Sequence, residues 1–205
     1  VRRQGLRWRL DLAIYLDRAI YRKGAFEKKT TRLGRAIVRP GMRVLDVAIG
    51  TAAVAQGAAK LVAPGGKVFG VDPNKGMLGE ARKIFHGPLT RGVAEALPFK
   101  TGQFDFVTMG IALRHVPDLV AAFSEYLRVL KPGGKVWILE GHLPESKVGH
   151  ALTRFAWKTV IPGLTLLFTR DRDAKVLMDY YWDTVEKCVP PETILASMRI
   201  AGFAD

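Results

Sequence analysis

The apolar run Val44-Leu45-Asp46-Val47 gives way to a small-residue turn, Ala48-Ile49-Gly50-Thr51-Ala52-Ala53, a pattern that brings backbone N–H groups against a ligand. Roughly twenty residues on, a second apolar run, Lys67-Val68-Phe69-Gly70-Val71, closes on Asp72. Strand, tight turn, helix, strand and acid in that order make the opening βαβ unit of a nucleotide-binding sheet. A carboxylate at the position of Asp72 accepts two ribose hydroxyls at once; the competing role is to cap the helix announced by Pro73 and Asn74. Asp46, inside the strand end, is placed to orient the turn rather than to touch ligand. Only Gly50 is a glycine where such turns carry two or three, and Gly-x-Gly-x-x-Gly is not matched, which argues against a nicotinamide oxidoreductase.

Further chemistry clusters downstream. Arg114 and His115 follow the fourth expected strand, where a histidine with a near-neutral pKa serves as a general base. The alternative for His115 is a loop histidine bonded to backbone. Glu140 and His142, after the fifth strand, offer a second polar pair. With Asp183 and His115 they could supply oxygen and nitrogen ligands to a divalent metal such as Mn²⁺, although no tight spacing such as His-x-x-x-His exists. Tyr180, Tyr181 and Trp182 are consecutive, and successive helix positions diverge by about 100°. They therefore cannot all face one core, and one facing a groove would stack on a flat ring. Cys188 has no neighbouring base and reads as structural.

The elements that position these residues alternate. Helices are expected over 6–22 and Ala25–Val38, the latter stopped by Pro40-Gly41. Strands follow at Met42–Ala48, Val68–Val71, Leu89–Val93, Phe104–Met109 and Val136–Glu140, with helices Thr51–Leu61, Gly76–Phe85 and Leu119–Leu130 between them. Lys131-Pro132-Gly133-Gly134 ends the last of these helices. Such alternation implies a doubly wound, mostly parallel sheet with its site at the strands' C-terminal ends. Residues 142–190 are rich in aromatics without strand signals and read as a helical cap, and Pro191–Ala201 as a closing helix.

Composition sets the remaining bounds. The 205 residues suffice for one domain with a full core, and one cysteine excludes an internal disulfide framework. No apolar run is long enough to span a bilayer, and Val1 in place of Met is read as a trimmed N-terminus. Residues 1–43 hold thirteen Lys/Arg against three Asp/Glu, a net +10 of the chain's +13. Interleaved with Trp8, Tyr15 and Tyr21, this basic segment suits an anionic membrane surface. Nucleic acid is not expected as a partner, and a solvated basic helix is the remaining alternative.

Taken together, Asp46 with Gly50-Thr51, Val71-Asp72, Ala94-Glu95-Ala96-Leu97-Pro98-Phe99, Phe104-Asp105-Phe106-Val107 and Leu127 through Gly134 resemble class I S-adenosylmethionine (SAM) methyltransferases. The resemblance covers residues 25–205. It implies a Rossmann-like α/β fold with N-terminal helices and a helical cap. Its segments would be 1–40 (basic helices), 41–141 (core sheet), 142–190 (substrate cap) and 191–205 (closing helix), with two further strands beyond Asp205. Cofactor contacts are implied for Asp46, Ala48, Gly50, Thr51, Asp72, Pro73, Met77, Ala94, Glu95 and Met109.

Within that superfamily, Ala112-Leu113-Arg114-His115-Val116 and the stretch from Pro191 to Phe203 look like the ubiquinone/menaquinone C-methyltransferases (UbiE-type). The chain departs from that pattern at Ile49 and Ala52, read as glycine positions, at Ala53, where the family has an acid, and at Val93, where an Asp or Asn usually faces adenine. These departures, with Tyr180-Tyr181-Trp182-Asp183-Thr184, are similar to the rhodoquinone-biosynthesis branch (RquA-type). As a family, its members replace a ubiquinone methoxy group by an amino group, with SAM as amino donor. The implied partners are SAM, Mn²⁺ and a polyprenyl quinone, at the cytoplasmic face of an inner membrane or the matrix side of a mitochondrion. Catalytic roles are implied for His115, Tyr181 and Asp183, and substrate contacts for Arg114, His142, Tyr180 and Trp182. A UbiE-type C-methyltransferase, a phospholipid N-methyltransferase and a non-catalytic quinone- or membrane-binding module are the alternatives.

Overall fold

The computed structural model describes residues 37–141, 143–144, 146–169 and 174–203. The helices expected over 6–22 and 25–38 lie outside these residues except for Ile37 and Val38, and so does His142.

Five strands, β1 (Arg43–Val47), β2 (Lys67–Asp72), β3 (Leu89–Arg91), β4 (Phe104–Gly110) and β5 (Leu130–Leu139), form one sheet. Their order is β3-β2-β1-β4-β5 and every pairing is parallel. The Val/Leu-rich runs follow from that geometry, because a parallel sheet is covered on both faces. On one face Val44, Val68 and Phe106 pack with Ala55 and Val62 of α1 (Ala53–Val62) and Ala81 of α2 (Lys75–Arg82). On the other, Leu45, Val47, Val107 and Met109 meet Phe123, Tyr126 and Val129 of α3 (Leu119–Val129). The order reverses between β1 and β4, so their C-terminal ends flank the crevice where ligands enter such sheets.

Boundaries differ from expectation where turn chemistry intervenes. Strand β5 begins at Leu130 rather than Val136: Leu130 pairs with Phe104 and Lys135 with Phe106, and Lys131–Gly134 bulge out between them. Asp105, at that irregularity, accepts the Arg43 N–H (2.8 Å) and the Lys131 ammonium (2.6 Å). Helix α1 starts at Ala53 rather than Thr51, because Ala52 is still left-handed (φ 67°, ψ 23°).

Among the described residues, those between 141 and 190 belong to one compact unit, and 37–140 with 191–203 belong to the other. As the sequence implies, the smaller unit contains no strand among its described residues. It comprises α4 (Lys147–Phe155), a wider π-type turn (Ala156–Val160), α5 (Ile161–Thr169) and α6 (Ala174–Glu186). Trp182 is its fully buried centre, set edge-on to His150 and Trp157, with its indole N–H donated to Glu186 at 3.0 Å. In the larger unit α7 (Pro191–Ile200) packs on α3.

Candidate functional site

The turn after β1 carries three alternate residues in the left-handed region: Ala48 (φ 53°), Gly50 (φ 54°) and Ala52 (φ 67°). These are the positions where a glycine would relieve strain, and Ile49 is not among them. Ile49 also does not crowd the ligand side. It is buried, donates its N–H to the Val71 carbonyl (3.0 Å), and lies over Gly70, where a Cβ would stand 2.2 Å from its Cδ1. Ala52 is fully buried in the same cluster.

An Ala48→Gly substitution is expected to stabilise the protein by about 0.5–1 kcal/mol. It relieves a left-handed alanine costing about 1–2 kcal/mol, less the entropy of a new glycine. Ala52→Gly is expected to be near neutral, since it also deletes a buried methyl worth about 0.8 kcal/mol. Urea midpoints at unchanged slope test both; a loss of stability in Ala48→Gly would show that the turn is not left-handed there.

Asp72 ends β2, buried, with its two oxygens divided between neighbours. One accepts the Gly50 N–H at 3.0 Å and the other the Asn74 N–H at 2.8 Å. The Gly50 N–H, expected to face a ligand, is therefore committed to Asp72. The helix-capping alternative falls away, because Asn74 caps α2 by accepting the Gly76 and Met77 N–H groups. Burial pushes the Asp72 carboxyl above its ordinary value, and the two N–H donors only partly offset it. A carboxylate has about four acceptor positions, so room remains on both oxygens for a vicinal diol.

Helix α1 has no side-chain cap at Ala52, and its first-turn N–H groups are a natural seat for a carboxylate. Gly110, at the end of β4, packs closely on Val54, whose Cγ2 would lie 3.0 Å from an added Cβ. A diol acceptor and an uncapped helix start thus lie at the C-terminal side of the sheet, where its order reverses between β1 and β4. The residues present fit the ribose and amino-acid ends of SAM.

Beyond β4 the chain reverses through left-handed Ile111 (φ 54°) into a short 3₁₀ turn, Leu113–His115. Glu140, just past β5, clamps that turn. Its carboxylate accepts the Leu113 N–H (2.8 Å), the Arg114 N–H (3.4 Å) and the Arg114 guanidinium (2.8 Å), which also donates to the Ile111 carbonyl (2.9 Å). The two side chains are only 4% and 8% exposed. Neither pairing was visible from residue spacing, because it joins two loops that meet only through strand order. His115 is open to solvent on one side, yet desolvation by its surroundings and then the charge of Arg114 lower its pKa, with Glu140 opposing. It is neutral at pH 7 and able to accept a proton.

Other expected contacts are distributed differently. Pro73 and Met77 bracket the start of α2, and Ala94 and Glu95 follow β3. Asp46 and Thr51 are buried at the turn. The side chain of Met109 is fully buried under Tyr126, whose hydroxyl meets its sulfur at 3.6 Å, so only the Met109 backbone can border a ligand. Tyr180, Tyr181, Trp182 and Asp183 all lie on α6, in the smaller unit. Of these, Trp182 is a core residue rather than a substrate platform, since it exposes no face. Tyr180 and Tyr181 are half-buried, with ring centroids 5.9 Å apart. Asp183 pairs with Lys158 at 3.2 Å. Among the described residues no three His, Cys, Asp or Glu converge on a metal site, and Glu140 and Asp183 are engaged by Arg114 and Lys158; the third candidate ligand, His142, lies outside those residues.

Comparison with known proteins gives the same picture. In solved structures the fold recurs in a SAM-dependent methyltransferase from Thermotoga maritima (TM-score 0.62, 23% identity, 97% of this chain and 81% of that one). It recurs too in an arsenic(III) SAM methyltransferase from Chlamydomonas reinhardtii (TM-score 0.59, 23% identity, 82% and 54%). A demethylmenaquinone methyltransferase of a Geobacillus strain is 37% identical over 83% of this chain and 74% of its own. One from Chlorobaculum tepidum is 35% identical over 78% and 65%. The UbiE ubiquinone/menaquinone C-methyltransferase of Burkholderia vietnamiensis is 34% identical over 85% and 72%. The chain thus spans about two thirds to three quarters of the relatives it matches. Residues 21–205 match the ubiE/COQ5 methyltransferase family model, and with the SAM-type crevice at β1 and β4 the chain belongs to that family of class I SAM-dependent methyltransferases.

Proposed function

We propose that the protein transfers a methyl group from SAM to a ring carbon of a polyprenyl quinol. The observation that carries this reading is the site built at the switch point: Asp72 beside an uncapped α1, with His115 on the turn that follows β4. The substrate class is supported by relatives whose names specify demethylmenaquinone or ubiquinone/menaquinone C-methylation. When bound, SAM supplies an electrophilic methyl group on a sulfonium sulfur. The chain's own part is to hold and deprotonate. In this reading Asp72 accepts the ribose hydroxyls and the first turn of α1 receives the carboxylate. His115 takes the proton of a quinol hydroxyl at an imidazole nitrogen, raising electron density on the neighbouring ring carbon; once methylated, that carbon loses its own hydrogen as a proton and the oxygen regains one, restoring the quinol.

A second reading is replacement of a ubiquinone methoxy group by an amino group with SAM as amino donor. It rests on the resemblance of Ile49, Ala52 and Ala53 in the turn and of the Tyr180–Thr184 stretch to the rhodoquinone-biosynthesis branch, whereas the named relatives are methyltransferases. Mass spectrometry of the quinone product separates the two. With a demethylated quinol and SAM, a product heavier by one CH₂ is expected; with ubiquinone, exchange of methoxy for amino would move the assignment to the second reading. Silence with both substrates would reject both. For the active reaction kcat/KM is expected to fall as pH drops through a histidine pKa below 6.5. The His115→Ala variant is expected to lose that limb and most of its turnover; full turnover would remove the general-base role.

A further inference from the structure

In the smaller unit, the polarity of α4 and α5 is the reverse of an ordinary surface helix. His150 and Trp157 turn toward Trp182 in the interior, yet the opposite side is apolar rather than polar. On α4 Val148, Leu152 and Phe155 are 71%, 63% and 58% exposed, at the spacing of one helix face. On α5 Leu167 and Phe168 are 72% and 79% exposed. Plain α-helical counting would put Leu164 and Leu167 about 160° and 100° away from Val148. The π-type turn at Ala156–Val160 inserts one extra residue, which takes back about 100° and returns both toward the stripe.

Charge flanks this stripe on one side. Lys147 and Arg154 fall about 110–130° from its centre, and no Asp or Glu occurs between Lys147 and Thr169, while Lys158 on the same side is paired with Asp179 and Asp183 of α6. Exposed apolar residues beside Lys147 and Arg154 fit the boundary of an anionic bilayer: rings and aliphatic chains enter the acyl region while the two cations reach lipid phosphates. Two other occupants are disfavoured by charge. A second copy would bring the same cations together, and residues 1–43 carry a net +10 of their own. No helix among the described residues is long and apolar enough to cross a membrane, so the segment lies in the interface plane.

We propose that Lys147–Thr169 is a docking surface for an anionic lipid bilayer, with Val148, Leu152, Phe155 and Leu167 inserted, Phe168 at the edge of the stripe opposite the cations, and Arg154 on the headgroups. The test is co-sedimentation of the full chain with phosphatidylcholine vesicles, with and without phosphatidylglycerol. Quinone is left out, so the outcome does not depend on the substrate reading. The wild type is expected to sediment with the anionic vesicles. A Leu167→Gln/Phe168→Gln variant is expected to partition at least about tenfold less. That variant leaves the net charge unchanged, so the loss isolates the apolar face. Arg154→Glu is expected to weaken binding about fivefold or more, only on anionic vesicles. Three results would overturn the proposal. The wild type could stay in the supernatant, or the double variant could sediment unchanged. Alternatively, the double variant could abolish a concentration-dependent dimer, or lower the thermal midpoint, in a protein that binds no vesicles; a second copy or the chain's own basic segment would then cover the face.

Discussion

Replacing Glu140 by alanine is expected to lower the unfolding free energy by about 3–5 kcal/mol, the largest effect of any single substitution near the site. The reason is asymmetry rather than the strength of the pair. Arg114 is 4% exposed at its side chain, and its guanidinium is charged at any working pH, so it cannot shed its charge when its carboxylate is removed. The Leu113 and Arg114 N–H groups lose an acceptor in the same step. Substituting both partners by methionine should cost far less, because a buried pair roughly breaks even against apolar side chains of similar volume. Glu140→Gln should fall between, keeping one carbonyl oxygen for the backbone but placing an amide N–H₂ against the guanidinium. Urea denaturation of the four proteins makes the comparison. A cost under about 1 kcal/mol for Glu140→Ala would mean that the pair is solvated and does not fix the turn.

That clamp also marks where the sequence stops being informative. Most strands and their order in the chain were legible as apolar runs; Val44–Val47 and Phe104–Met109 needed no tertiary information, whereas β3, Leu89-Thr90-Arg91, is short with Leu89 its one apolar residue. The start of β5 was not legible. Lys131-Pro132-Gly133-Gly134 reads as a break, and only pairing with Phe104 recruits Leu130 into the sheet ahead of it. Within the site, Asp72 could be placed from its position after an apolar run. Its donor from the turn could not: the hydrogen bond from Gly50 joins the turn after β1 to the end of β2, which meet only through the β1–β2 register.

Positive φ at Ala48 and Ala52 was likewise hidden. Glycine announces a left-handed residue in a sequence, and alanine in the same conformation carries no such mark. Of the turn residues that depart from the family pattern, Ile49 has the most conspicuous bulk in the sequence, and in the fold that bulk is turned down onto Gly70. The aromatic triplet failed differently. Helical divergence correctly forbids one common environment for Tyr180, Tyr181 and Trp182, but does not say which is buried. The indole of Trp182 wins because Glu186, one turn on, satisfies its N–H.

Asp72→Ala is expected to raise the dissociation constant for SAM by about 100-fold or more. Two charge-assisted hydrogen bonds to ribose hydroxyls are worth about 1.5–3 kcal/mol each, and about 1.4 kcal/mol is a factor of ten. The substitution also releases the Gly50 and Asn74 N–H groups, so a fall in affinity alone could come from a slackened turn. Deleting the same contact from the ligand side separates the causes. The wild type should bind SAM far better than its 2′,3′-dideoxy analogue, whereas Asp72→Ala should hardly distinguish them. An altered turn would weaken both ligands equally and leave the discrimination intact; that result would remove Asp72 from the ribose. The pH dependence has a fixed sign. Burial raises the carboxyl's pKa in the free protein, and hydroxyl donors favour its ionised form, so binding lowers that pKa and releases a proton. Affinity should therefore weaken as pH falls through the raised value toward 3.8, and Asp72→Ala should flatten the curve.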